Sequence, residues 1–191
     1  MADTPILIST DRCWLRAASA SDYAALDAAI GSPQFPYELP LADLKRRGKL
    51  QAWFESMLAL SLEGRARVFS IDLAGGTRCV GQVSLMQRDV PASWNLSYWL
   101  HPSCWGAGFA VEAAQAVIRY GFTAMAVGEV WAGAARWNQR SIRTLDKLGL
   151  QPVENTPPSN GAGSAPDDLH ICSLSRERWL QTWGESEGGL A

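Results

Sequence analysis

Between Asn95 and Ala113 the chain reads NLSYWLHPSCWGAGFAVEA, and this stretch constrains the fold more than any other. Strand material from Trp94 to Leu100 runs into a turn at Pro102. Two glycines follow, Gly106 and Gly108, and an alanine-rich run with helical spacing starts at Phe109. A glycine loop at the start of a helix offers backbone N–H groups with no side chains in the way, beside the positive end of the helix dipole. Such a cradle suits a pyrophosphate. A plain tight turn uses glycine equally well, so the loop has to be weighed with the rest of the chain. Two other phosphate motifs fail letter by letter. A P-loop needs Gly-Lys-Ser/Thr where Gly108 is followed by Phe109 and Ala110. A dinucleotide fingerprint needs a small residue where Val111 stands, and it needs the loop directly after the strand, where Pro102 to Trp105 intervene.

Composition narrows the class. With 191 residues, 47% of them apolar and 19% charged, the chain has the material for a core and lacks the signature of disorder. Seventeen basic and 19 acidic residues give a net charge of −2 with no basic block, so nucleic acid is not an expected partner. No apolar run approaches the roughly 20 residues of a membrane span. The opening MADTPILISTDRCWLR lacks the features of a signal peptide, and a cytoplasmic location is expected. Cys13, Cys79, Cys104 and Cys172 show no CxxC spacing and read as reduced, mostly buried thiols. His101 and His170 add no close ligand pair, so no metal is expected.

Short strands are expected at Ile6–Ser9 and Cys13–Arg16, about a Thr10-Asp11 turn. Ser21 or Asp22 should cap a helix carrying Tyr23, Leu26 and Ile30, and a second helix should run from Leu44 to Leu62, with Pro36 and Pro40 breaking any element between them. Val68–Leu73 and Cys79–Met86 read as a hairpin about Gly75-Gly76, followed by the strand Trp94–Leu100. After the loop come the helix Phe109–Phe122, a strand Glu129–Gly133, a helix opened by Asn138 or Ser141 and stopped by Gly149, and a last strand His170–Leu174. This order predicts an α/β fold with a mixed sheet and helices on both faces. Residues 1–183 are expected to form one domain, with 184–191 as a tail.

Four segments taken together resemble the GCN5-related N-acetyltransferase (GNAT) family, in the group like the ribosomal-protein N-terminal acetyltransferases (RimJ/RimL-type). TDRCWLRAASASDYAAL resembles the TxRLxLRxxxxxD opening of that group, and CVGQVSL its IGxxxL strand. Trp105-Gly106-Ala107-Gly108-Phe109-Ala110 falls on the Gln/Arg-x-x-Gly-x-Gly/Ala pyrophosphate motif, with Trp105 in place of Gln or Arg. WNQRSIRTLDKLGL resembles the NxxSxRxLxKLGF segment. The likeness covers roughly Ile8 to Pro152.

The resemblance implies a mostly antiparallel sheet with one splayed parallel strand pair, and transfer of an acetyl group from acetyl-CoA to a primary amine. It implies that backbone amides of Trp105, Gly106, Ala107, Gly108, Phe109 and Ala110 hold the pyrophosphate. The pantetheine arm would lie along Leu96–Leu100 and Glu129–Gly133, touching backbone groups of Leu100 and His101, with an N–H near Trp99 or Leu100 facing the thioester carbonyl. Asn138 would bond the pantetheine amide, and Ser141 would hydrogen-bond the departing thiolate; either residue serves equally as a helix cap. Many relatives carry a Glu base where this chain has Asn95, which cannot accept a proton. Glu38, Asp72, Asp89 and Tyr98 remain without any spacing to mark one of them, and a water or an already neutral amine would serve as well.

Glu112 is expected to stabilise the helix N-terminus rather than meet the anion. Trp14, Trp53 and Trp99 fit buried periodicities, whereas Trp105 and Trp137 flank the expected cofactor site. Arg136, Arg140 and Arg143 fit either phosphate pairing or a solvated helix face. Acceptor choice is expected from Gln34–Pro40 and Thr156–Asp168, and the acceptor from peptide N-termini or small-molecule amines. The alternative is a non-catalytic acyl-CoA sensor or interaction module. A homodimer through exposed strand edges is compatible with the sequence.

Overall fold

A computed structural model describes residues 6–153 and 168–184. β1 (Leu7–Ser9) and β2 (Cys13–Ala17) make an antiparallel hairpin in which Leu7 pairs with Arg16 and Ser9 with Trp14. Thr10 closes it, its N–H donating to Cys13 O at 2.9 Å and its Oγ1 accepting the Cys13 N–H at 3.0 Å. The two-residue period buries Cys13 and Leu15 and turns Trp14 to the opposite face, where it is 49% exposed. The expectation that Trp14 is buried fails because the residue sits on the open side of its strand.

A short 3₁₀ turn, Ala20–Asp22, leads into α1 (Tyr23–Gly31). Neither Ser21 nor Asp22 caps α1 with its side chain: the Asp22 carboxylate turns back to Ser19 N–H (2.9 Å) and to Arg16. The expected single helix after Pro40 is two, α2 (Pro40–Arg46) and α3 (Leu50–Leu62). Gly48 adopts φ +64°, and Lys49 N–H reaches back to Leu44 O at 2.8 Å, the pattern of a glycine-terminated helix. Pro40 opens α2 rather than breaking it, since the first helical position has no use for an N–H.

β3 (Ala66–Leu73) and β4 (Gly81–Gln87) pair antiparallel, from Ala66 against Met86 to Ile71 against Gly81. β5 is Ser93–Leu100. Gly81 permits a close approach of β4 to β5: a Cβ there would lie 2.3 Å from Trp99 O. Beyond the glycine loop come α4 (Phe109–Ala124), β6 (Glu129–Ala135), α5 (Gln139–Lys147), β7 (Gln151–Pro152), β8 (Leu169–Ser175) and α6 (Arg176–Trp183). β6 pairs parallel with β5 over Ser93–Asn95 and antiparallel with β8 from Glu129–Ser175 to Ala135–Leu169.

The result is an α/β fold whose eight strands lie in the order β1-β2-β3-β4-β5-β6-β8-β7, antiparallel but for β5 and β6. β7 and α6 were not legible beforehand. α6 starts at Ser175, whose Oγ accepts the Arg178 N–H at 3.2 Å, and it is held by Trp179 against Phe122, ring centroids 5.5 Å apart. Gly184, expected to begin the tail, ends this helix; residues 185–191 and most of the Thr156–Asp168 loop lie outside the described residues.

The chain divides into two compact units. One comprises the residues up to Met86 with Ser97–Val117, the other Gln87–Leu96 with the residues from Ile118 onward. The first has a core of Leu26, Ile30, Phe35, Leu50, Phe54 and Trp99, with Trp53 partly buried against it. The second buries Phe122, Val130, Leu145, Leu148, Leu150 and Leu174. Cys13, Cys79 and Cys172 are buried free thiols. Burial pushes Cys79 up to about 12 and Cys172 to about 11, which keeps both protonated and inert at neutral pH. No helix among the described residues is long and apolar enough to cross a membrane.

Candidate active site

The first unit contains the whole glycine loop. β5 ends at Leu100, and His101 caps a 3₁₀ turn over Pro102–Cys104. The His101 Nδ1 accepts the Ser103 N–H at 3.2 Å and lies 2.7 Å from the Ser103 hydroxyl. Its own N–H donates to Val80 O at 2.8 Å, and its carbonyl accepts the Cys104 N–H at 2.9 Å. Trp105 donates its indole N–H to Leu100 O at 3.0 Å and tilts against Phe35, centroids 6.1 Å apart. Gly106 and Gly108 then take φ +80° and +86°, left-handed values that L side chains resist. Gly106, Ala107 and Gly108 are exposed, and a Cβ on Gly106 would meet nothing within 4 Å. α4 starts at once with Phe109. An exposed left-handed loop on the N-terminus of a 16-residue helix is an arrangement able to receive an anion.

Sequence reasoning did not find Arg12. From the β1–β2 turn its Nη1 donates to Ala107 O at 2.9 Å, and its guanidinium lies 4.7 Å from the centre of the Phe109 ring. Its Nε and Nη2 reach Glu112 Oε2 at 2.7 and 2.6 Å, while its backbone N–H and the Thr10 hydroxyl hold Oε1 at 2.8 and 2.6 Å. Burial works against the Glu112 charge. The Thr10 and Arg12 hydrogen bonds outweigh it, and the carboxyl is held below its ordinary value. Glu112 thus ties the first turn of α4 to Thr10 and Arg12, 102 and 100 residues away in sequence.

A buried polar network ties β2, β3, β4 and β5 together. Arg16 donates to Asp22 through Nη1 and Nη2 (2.9 and 2.6 Å) and to Asp72 through Nε (2.9 Å). Ser70 Oγ donates to Asp22 at 2.8 Å, Gln82 Nε2 to Ser70 Oγ at 3.1 Å, and Trp99 Nε1 to Gln82 Oε1 at 3.1 Å. Asp72 also accepts the Cys79 N–H at 2.8 Å, so this carboxylate is bound up in structure. Burial opposes the Asp22 charge, yet the Arg16, Ser19 and Ser70 hydrogen bonds bring its pKa down to about 2.

The second unit holds Asn138 and Ser141. Asn138 is the N-cap of α5, its Oδ1 accepting the Ser141 N–H at 3.2 Å. Ser141 lies three positions on, half-buried, and is not the cap. Arg136, Arg140 and Arg143 are exposed, and Trp137 is 51% exposed. Asn95 is half-buried and pairs with Trp131. Of the remaining candidate bases, Glu38 and Asp89 are exposed and Tyr98 is half-buried. Among the described residues no group of three or more His, Cys, Asp or Glu side chains is placed to hold a metal.

The profile of the acetyltransferase (GNAT) domain matches residues 12–151 of the chain. The chain belongs to the GNAT family. This GNAT acetyltransferase is similar to an uncharacterized N-acetyltransferase, p20, of Bacillus licheniformis, 28% identical over 143 residues that cover 74% of this chain and 80% of the relative. In fold it is similar to an acetyltransferase of Agrobacterium tumefaciens str. C58 (TM-score 0.71, 21% identity, 91% of this chain and 96% of that one). It is also similar to RimJ of Mycobacterium smegmatis, solved in complex with CoA-disulfide (TM-score 0.66, 19% identity, 94% of each chain). The matched region contains Arg12, the glycine loop and α5.

Proposed function

We propose that residues 1–183 act as one catalytic domain that transfers an acetyl group from acetyl-CoA to a primary amine, in the manner of the RimJ/RimL-type enzymes. The observation that carries the reading is the exposed left-handed glycine loop on the N-terminus of α4, inside the part of the chain that matches the family. Its residues fit an anionic co-substrate. Amides of Trp105 to Ala110 would hold the pyrophosphate, Leu100 and His101 would flank the pantetheine arm, and Asn138 would face its amide. The amine adds to the thioester carbonyl, the C–N bond forms, the C–S bond breaks, and CoA leaves as a thiolate that Ser141 would hydrogen-bond. Asn95 cannot take a proton, so the amine would enter neutral or give its first proton to water, and the proton that the nitrogen sheds as the amide forms would pass to water or to the departing thiolate. The fold likeness to RimJ with CoA-disulfide supports the ligand class, and the acceptor would be a peptide N-terminus or a small-molecule amine.

Thermal-shift titration with acetyl-CoA, CoA, ATP and NAD tests this first. Acetyl-CoA at 100 times its Kd stabilises the native state by about 2.7 kcal/mol, which for a protein of this size raises Tm by about 5–10 °C. A shift with ATP or NAD alone would overturn the reading. An amine screen that follows thiol release then separates the enzyme from a sensor. Asn95 in place of a carboxylate favours the sensor, for which acetyl-CoA binds and no amine is acetylated.

Ser141→Ala is expected to lower kcat about tenfold, the worth of one hydrogen bond to developing charge, with acetyl-CoA affinity changed less than twofold. Because Asn138 caps α5, this change leaves the cap in place. An unaltered kcat would remove Ser141 from the chemistry.

A further inference from the structure

The glycine loop raises a difficulty that its own sequence does not resolve. Glu112 stands in the first turn of α4, the same turn whose N–H groups would face a pyrophosphate. A free carboxylate there repels a ligand of the same sign, and the repulsion grows as water is displaced. Arg12 is the only described cation bonded to this carboxylate, and it reaches it through two guanidinium nitrogens and its backbone N–H.

The same guanidinium touches the loop itself. Nη1 holds Ala107 O, the plane lies over Phe109, and Nη2 would be 3.3 Å from a Cβ on Gly108. One side chain thus grips the loop between its two left-handed glycines and neutralises the acid behind it. The Arg12 side chain remains half exposed, so the pair it makes with Glu112 is open to water on one side.

We propose that Arg12 is a positioning residue for the acetyl-CoA loop. It fixes the loop in its anion-receiving form through Ala107 and cancels the repulsion of Glu112. The inference rests on the reading of the loop as the pyrophosphate site. It concerns affinity and not bond-making, because Arg12 acts through the loop and Glu112.

The test is a double-mutant cycle on the full chain, with acetyl-CoA Kd by calorimetry and KM and kcat by thiol release. Arg12→Met is expected to raise Kd and KM tenfold or more, with kcat at saturation within threefold of wild type. Adding Glu112→Gln to Arg12→Met is expected to recover at least threefold of the lost affinity, since the uncovered charge is then gone. Arg12→Lys keeps charge without the fork and should fall between wild type and Arg12→Met. A role confined to holding the fold predicts no recovery: the double variant then binds acetyl-CoA no more tightly than Arg12→Met. That result, or a Kd for Arg12→Met within twofold of wild type, overturns the inference and leaves the loop assignment standing. Wild-type protein that binds no acetyl-CoA overturns both. Should Arg12→Met fail to fold, Arg12→Lys decides the matter through the lost fork: a Kd raised threefold or more with kcat within threefold of wild type supports the inference, and a Kd within twofold of wild type overturns it.

Discussion

Gly108→Trp is expected to abolish acetyl-CoA binding in a protein that still folds. Gly108 is exposed and sits at φ +86°, so any side chain there costs about 1–2 kcal/mol of backbone strain, a Tm loss of under about 8 °C. The first atom of that side chain already meets Arg12 Nη2 at 3.3 Å, and an indole beyond it must displace the arginine or occupy the cradle. Either course removes the surface an anion would use. The expected loss is more than 100-fold in Kd, read by calorimetry beside a melting curve. A variant that melts close to wild type and binds acetyl-CoA as wild type does would place the pyrophosphate elsewhere.

Asp22→Asn has the largest expected effect on stability. Asp22 is 4% exposed and receives hydrogen bonds from Arg16, Ser19 and Ser70. Removing its charge leaves Arg16 with Asp72 alone in a site closed to most solvent, at a cost of about 3 kcal/mol. Tm should fall by about 6–12 °C. The pH dependence has a definite sign. The folded pKa of about 2 lies below the ordinary 3.8, so the contribution of Asp22 is complete above about pH 4–5 and is lost as pH falls through 2. Urea unfolding between pH 5 and 2 should show wild-type stability falling toward that of Asp22→Asn as the acid range is entered. A constant gap between the two down to pH 2 would mean that the pair does not carry the stability.

The network that Asp22 anchors ends on Trp99, one residue before Leu100, where the loop begins. Stability in the first unit and the placing of the loop are therefore linked by a chain of named hydrogen bonds, Asp22 to Ser70 to Gln82 to Trp99.

Much of this was legible in the chain itself. The strand-turn-glycine-helix order at 94–122, the Gly75-Gly76 turn and the stop at Gly149 follow from local chemistry. Glycine tolerates left-handed backbone, proline ends an element, and apolar period separates helix from strand. The break at Gly48 carried the same kind of signal, but the apolar positions on either side mask it at the level of period alone. β7 was too short to show a pattern, and α6 owes its place to Trp179 packing on Phe122.

The exposure of Trp14 could not be read from its own strand, because a period of two states which residues share a face and not which face is covered. Arg12 and Glu112 lie 100 residues apart, and Arg16 and Asp72 lie 56 apart. Each is an ordinary surface charge in sequence. Whether such a charge is solvated or paired is settled by which strand closes beside it. The sequence alone determined most of the elements, the loop and the family, because those are written in local backbone preference and ordered motifs. Only the tertiary structure decided which arginine grips the loop and which carboxylates are already spoken for, because charge pairing depends on distance in space and on the water excluded from between the partners.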